Sequence, residues 1–157
     1  MGVAGSGKST VGRALADVLD WSFYEGDDYH PQSNADKIAS GSPLTDEDRY
    51  PWLKKLRQLI VTNLSEGHSL VLSCSALKEN YRQILRGEDL NICFVFLRGE
   101  FDLIESRMRS RPYPYMRPEM LPSQFEALEE PTDAIIVDIS CSVPNIVDQL
   151  KSQLFNH

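Results

Sequence analysis

Gly2-Val3-Ala4-Gly5-Ser6-Gly7-Lys8-Ser9, continued by Thr10 and then by Val11, Leu15, Val18 and Leu19 on one helical face, decides how this chain folds. The eight residues fit G-x-x-x-x-G-K-[ST] at every required position, and the amphipathic stretch behind them supplies the helix that the motif demands. Glycines let successive backbone N–H groups turn inward around an anion, and the helix N-terminus adds partial positive charge. In such a cradle Gly2 to Thr10 surround the phosphates of ATP, Lys8 reaches the β and γ phosphates, and Ser9 ligates magnesium. The competing reading is a Gly-rich turn without function. With glycine at its usual frequency, chance yields the full pattern in well under about 1% of chains this long.

Outward from the cradle, short apolar runs alternate with amphipathic stretches, as in a parallel sheet with crossover helices. The expected class is therefore α/β, a P-loop nucleotide-binding fold with helices on both sides of the sheet. Candidate strands are Trp21 to Tyr24, Ser69 to Cys74, Ile92 to Leu97 and Ala134 to Ile139. Helical faces follow at Leu53, Leu56, Leu59, Ile60 and Leu64, at Leu77, Tyr81, Ile84 and Leu85, around Phe101 to Met108, and around Val143 to Leu154. The cradle normally hangs from the carboxyl end of a buried strand, and here only Met1 precedes Gly2. The first strand is therefore expected to be absent. Its neighbours would lose backbone partners and apolar contact.

Composition bounds the alternatives. At 157 residues the chain makes one domain, 1–157, and 41% hydrophobic with 25% charged residues excludes a disordered class. A net charge of −7 disfavours nucleic acid as a partner, and no apolar run approaches a membrane span, so a cytoplasmic protein with a local phosphate site is expected. The three cysteines show no CxxC pair, which argues against a zinc site, and Cys74 and Cys93 sit in apolar runs that predict buried thiols.

Two segments break the alternation where an α/β enzyme carries functional loops: about 26–51 and about 107–122. The first opens as Glu25-Gly26-Asp27-Asp28-Tyr29-His30-Pro31, on the rim of the cradle. Asp27 could orient an acceptor hydroxyl and take its proton late, and Glu25 or Asp28 could hold magnesium through water. A solvated acidic turn is the alternative. Farther on, Thr45 reads as a helix N-cap followed by Asp46 and Glu47, which leaves Arg49 as a cation near a helix N-terminus, suited to an anion. Trp52 reads as core. Lys78 and Arg82, at i, i+4 after the third candidate strand, suit a carboxylate or sugar hydroxyls, or else form a solvated face. The second segment carries Arg107, Arg109, Arg111 and Arg117 among prolines; as a lid it would bring Arg107 and Arg111 over ATP, and as a surface cluster it would do nothing.

The cradle, Asp27-Asp28-Tyr29-His30-Pro31, Pro43-Leu44-Thr45-Asp46-Glu47-Asp48-Arg49, Cys74-Ser75-Ala76-Leu77-Lys78 and Ser123-Gln124-Phe125-Glu126-Ala127-Leu128-Glu129 stand in an order and spacing that resembles the gluconokinases. The resemblance covers nearly the whole chain, and related shikimate kinases would show a Gly-rich turn in place of Cys74-Ser75-Ala76. It implies a shikimate-kinase-like fold that commonly dimerises and ATP-dependent phosphorylation of D-gluconate on its 6-hydroxyl. It implies Lys8, Asp27 and Arg111 as catalytic residues, and Gly2 to Thr10 with Arg107 and Arg111 around ATP. Asp27, His30, Arg49, Lys78, Arg82 and Gln124 fall on the substrate side, with Ser9 and Glu25 on Mg2+. One departure is Tyr113-Pro114-Tyr115, where the family carries Gly-His-Phe in the lid. The departures keep open a silent nucleotide-binding form or a kinase of another small hydroxy acid.

Overall fold

The computed structural model describes residues 1–111 and 116–155. Helix α1, Lys8–Leu19, follows the cradle at once and leads to strand β1, Ser22–Glu25. A 3-10 turn, Gly26–Tyr29, then gives helix α2, Gln32–Ala39, and helix α3, Asp46–Ser65. Strand β2, Leu70–Ser73, helix α4, Glu79–Arg86, strand β3, Val95–Arg98, and helix α5, Phe101–Ser110, continue the alternation. A second 3-10 turn, Pro118–Met120, helix α6, Leu121–Ala127, strand β4, Ile135–Asp138, and helix α7, Val143–Phe155, complete it. All four expected strands are present; β2 and β4 lie within the runs that foretold them, and β1 and β3 each run one residue past, to Glu25 and Arg98. Helix α2 lies inside the segment read as loop: among its residues only Asn34 is buried, so it carries no apolar stripe to betray it.

The sheet is split. Strand β1 pairs parallel with β2, and β3 pairs parallel with β4, but β2 and β3 do not pair with each other. Between them lies an apolar slot of about 660 Å³, walled by Val11 and Leu15 of α1, Ile60 and Leu64 of α3, Leu85 of α4, and Leu150, Leu154 and Phe155 of α7. This is where a strand leading into the cradle would lie. Two consequences of the gap are visible. Leu70, Val71 and Leu72, in what should be an interior strand, are only half-buried. The hydrophobic residues also form two clusters rather than one, with Val3, Leu97, Ile104, Val137 and Leu150 on one side and Trp52, Leu56, Tyr81, Leu85 and Phe94 on the other.

Met1 alone occupies the slot's upper end. Its nitrogen donates to Val95 O at 2.5 Å and its carbonyl accepts from Leu97 N–H at 3.0 Å, which is a parallel ladder rung opposite Phe96. Gly2 N–H donates to Ser75 O at 3.1 Å on the other side. Met1 and Gly2 thus join the entry of the cradle to β3 and to the turn that follows β2. Cys74 is buried, and burial drives its thiol up to about 12. Cys93, expected to be buried, is exposed, because it precedes the first paired residue of β3 at the open slot.

Candidate active site

The cradle geometry follows from its glycines. Gly7 takes φ 92°, the left-handed conformation that ends the loop and starts α1. Helix α1 has no side-chain cap and no acid in its first turn, so its orphan N–H donors stay open for an anion. Helix α3 shows the opposite design: Thr45 Oγ1 accepts from Asp48 N–H while Asp48 Oδ2 accepts from Thr45 N–H, closing that end with a capping box. Thr45 is therefore the cap that the sequence indicated. The residues present fit a nucleotide phosphate at α1 and exclude one at α3.

Lys8 Nζ donates to Val3 O at 2.9 Å, and burial pulls its ammonium below the ordinary lysine range. Ser9 Oγ donates to the Glu25 carboxylate, so the two residues expected on magnesium touch each other. Among the described residues no group of three or more His, Cys, Asp or Glu side chains stands ready to hold a metal. A magnesium ion here would complete its oxygen shell from phosphate and water, as is usual for that ion.

Lys8, Ser9, Glu25 and Asp27 open into a second cavity of about 660 Å³, lined also by His30, Thr45, Asp46, Arg49, Trp52, Lys78, Met116, Ser123 and Gln124. Its position is set by close backbone approach: a Cβ on Gly26 would lie 2.3 Å from Ser73 O, so only glycine lets the β1 exit cross β2 there. Burial raises the Asp27 carboxyl above the usual carboxylate range, Asp28 adds to the rise, and Lys8 opposes it. His30 stacks on Trp52, with ring centroids 4.1 Å apart, and Trp52 Nε1 donates to Gly26 O at 2.7 Å. Trp52 is thus core, 1% exposed, and also a platform for the site. Burial and the Arg49 charge push His30 down to about 4, leaving it neutral at physiological pH.

At the far end, Lys78 Nζ lies 3.1 Å from Asp46 Oδ1, and the Tyr81 hydroxyl donates to the same carboxylate. The hydrogen bond to Asp46 raises the Lys78 ammonium, and the Tyr81 hydrogen bond lowers the Asp46 carboxyl. Arg49 stands 5.6 Å and Lys78 5.7 Å from the Tyr81 ring centroid, so two cations share one aromatic ring. Asp46 was invisible as a site residue in the sequence, since it reads as a capping acid; Tyr81, which bonds it from behind the cavity wall, is the helix core it reads as. Gln124 Oε1 accepts from Ala4 N–H at 3.2 Å, joining α6 to the cradle.

Other expected site residues stand elsewhere. Arg82 is 1% exposed and outside the cavity wall. Its Nη1 donates to Ala76 O at 2.9 Å and Leu77 O at 3.1 Å, and it pairs with Glu79 at 2.8 Å. It braces a turn in which Ala76 takes φ 44°, a left-handed value costly for a residue with a Cβ. Arg107 Nη2 donates to Ile139 O at 2.8 Å, binding α5 to the end of β4, and Arg111 is exposed just past α5. Neither lines the cavity. Tyr113-Pro114-Tyr115 lies outside the described residues.

The shikimate kinase family profile matches residues 4–154 of this chain. The thermoresistant gluconokinase of Escherichia coli K12 is 42% identical over 94% of this chain and 86% of its own length. Among solved structures, a sugar kinase from Janibacter sp. HTCC2649 superposes with a TM-score of 0.92 at 36% identity, covering 98% of this chain and 91% of that one. A gluconokinase from Sinorhizobium meliloti 1021 superposes at 0.82 and 38% identity, covering 99% and 93%.

Proposed function

The chain belongs to the shikimate kinase family and, within it, stands with the gluconokinases, and from that membership we propose that it transfers the γ-phosphoryl group of ATP to the 6-hydroxyl of D-gluconate. The observation that carries this reading is one cavity whose wall brings together Lys8 and Ser9 of the phosphate cradle, the carboxylate of Asp27, and the cations Arg49 and Lys78. A sugar acid offers a hydroxyl to the carboxylate and a carboxylate to the cations. Lys8 and the α1 N-terminus hold the transferring phosphates, and Ser9 with Glu25 would hold magnesium, which would supply charge neutralisation there. Asp27 orients the acceptor oxygen. As the new O–P bond forms and the bond to the ADP oxygen breaks, the hydroxyl proton passes to the Asp27 carboxylate, whose raised proton affinity suits that task. Arg49 and Lys78 hold the gluconate carboxylate, and the product, 6-phosphogluconate, places the enzyme in carbohydrate catabolism.

A coupled assay of ADP release with gluconate, shikimate and other sugar acids tests the reading. Gluconate is expected to be preferred, and equal rates with the other acids would refute the substrate. A second reading, nucleotide binding without turnover, draws on the open slot behind the cradle. Calorimetric titration with magnesium and ATP beside the same assay separates the two, since only the second gives binding with no ADP release.

A further inference from the structure

The hydrogen bonds around His30 define which ring nitrogen carries its proton. Asn34 of α2 is 2% exposed, and its Nδ2 lies 2.8 Å from Asp48 O and 3.2 Å from His30 Nδ1. A carbonyl oxygen can only accept, so the Asn34 atom facing Asp48 O is the nitrogen, with two hydrogens to give. One goes to Asp48 O and the other points at His30 Nδ1. Only an unprotonated ring nitrogen can receive it, and the neutral ring then carries its single proton on Nε2. Stacking against Trp52 and a side chain 7% exposed fix the plane of the imidazole, and the Asn34 contact at Nδ1 sets its sense. The charged groups around it are Asp27 of the 3-10 turn and Arg49 of α3, and the α2 side chain that bonds it is the neutral Asn34.

We propose that Asn34 is a positioning residue that locks His30 in its Nε2–H form, so that His30 and Asp27 together read a hydroxyl at the accepting end of the cavity. Nε2 stands 3.8 Å from Asp27 Oδ1, too far for a direct hydrogen bond. An oxygen seated between them is within reach of both. A hydroxyl satisfies the pair fully, donating its proton to Asp27 and accepting from Nε2–H, whereas an ammonium has no lone pair for the imidazole. The pair therefore selects a neutral hydroxyl over a charged amine and aims the proton that must leave at the carboxylate. The same Asn34 also pins α2 to the first turn of α3, a link repeated by Lys37 Nζ with Asp48 at 2.8 Å.

This inference rests on the acceptor site proposed above, and its test has a readout independent of turnover. Long-range 1H–15N correlation spectra of the unmodified protein at neutral pH, with His30 identified by the signal lost in His30→Gln, are expected to show an unprotonated Nδ1 and a protonated Nε2. A protonated Nδ1, or an imidazolium, overturns the proposal. In Asn34→Ala the Nε2–H signature is expected to give way to a tautomer mixture, with the KM for gluconate raised about tenfold and that for ATP unchanged, the loss of roughly one hydrogen bond. An unchanged gluconate KM alongside a changed tautomer overturns the proposed role, as does an equal rise in both KM values. A protein that gives the expected spectrum but shows no preference for gluconate supports the lock and refutes the gluconate reading alone.

Discussion

Extending the chain at Met1 by about five apolar, β-branched residues should fill the slot between β2 and β3 and join the two half-sheets. The flanking strands are four residues each, and at roughly 3.3 Å per residue an added strand of four to five residues spans them. Direction and register are already set by the Met1 rung opposite Phe96. Both faces of the slot are apolar, so each branched side chain would gain about 1.5–3 kcal/mol by burial. Ladder hydrogen bonds on two sides would add roughly 0.5–1.5 kcal/mol each. Ordering each residue would cost about 1–2 kcal/mol for the backbone and about 0.5–1 for the side chain. The balance over the strand is a gain of about 5 kcal/mol, which for a chain of this size corresponds to a Tm higher by roughly 10–20 °C. Differential scanning calorimetry measures the shift against a polar extension of equal length. Amide exchange at Val95, whose carbonyl already faces the slot, should slow in the apolar variant because N–H and C=O of one residue point to the same side of a parallel strand. An apolar extension that raises Tm no further than the polar one, with Val95 exchanging as before, would refute the reasoning.

The Met1 amine makes stability depend on pH. Burial, with Lys8 nearby, holds its folded value at about 5 against an ordinary 8.0, so between those values the unfolded chain binds more protons and stability rises with pH, by up to about 4 kcal/mol in total. Denaturation at pH 5 and pH 8 should show this rise in the chain beginning at Met1 and lose most of it on N-terminal acetylation. Lys8→Ala should lower kcat/KM by at least about 100-fold, since a point charge on the transferring phosphates is lost in a water-poor site; near-normal turnover would remove Lys8 from the mechanism. For Asp27→Asn the expectation is a kcat loss of about 10²–10⁴-fold with little change in ATP affinity by calorimetry, and parallel weakening of both would instead mark a metal role. Arg82→Met should cost about 2–4 kcal/mol in urea denaturation while leaving the gluconate KM unchanged, because it unpairs Ala76 O and Leu77 O rather than touching substrate.

The features legible in the sequence are those whose physics is local. The cradle is eight consecutive residues whose backbone conformations and helix start need nothing from elsewhere, and the four strands are short apolar runs bounded by breakers. Gly26, Asp27 and His30 were legible as a strand exit, and Thr45 as a cap. What the sequence could not settle was which side of an element a side chain serves. Lys78 and Arg82 share an i, i+4 spacing that suits either a paired site or a brace. Packing divides them, turning Lys78 to Asp46 across 32 positions and Arg82 into its own turn.

By itself, the sequence determined the fold class, the phosphate-binding loop and the acceptor motifs. The tertiary structure decided which groups share the site: the Asp27 carboxylate, the neutral His30 imidazole and the cations Arg49 and Lys78 on one cavity wall, with Gln124 of α6 bonded to Ala4. It also decided that β2 and β3 stay unpaired, with an apolar slot between them walled by residues of α1, α3, α4 and α7. These are contacts between residues distant in the chain, and such contacts arise from the packing of elements whose local signals say nothing about their partners.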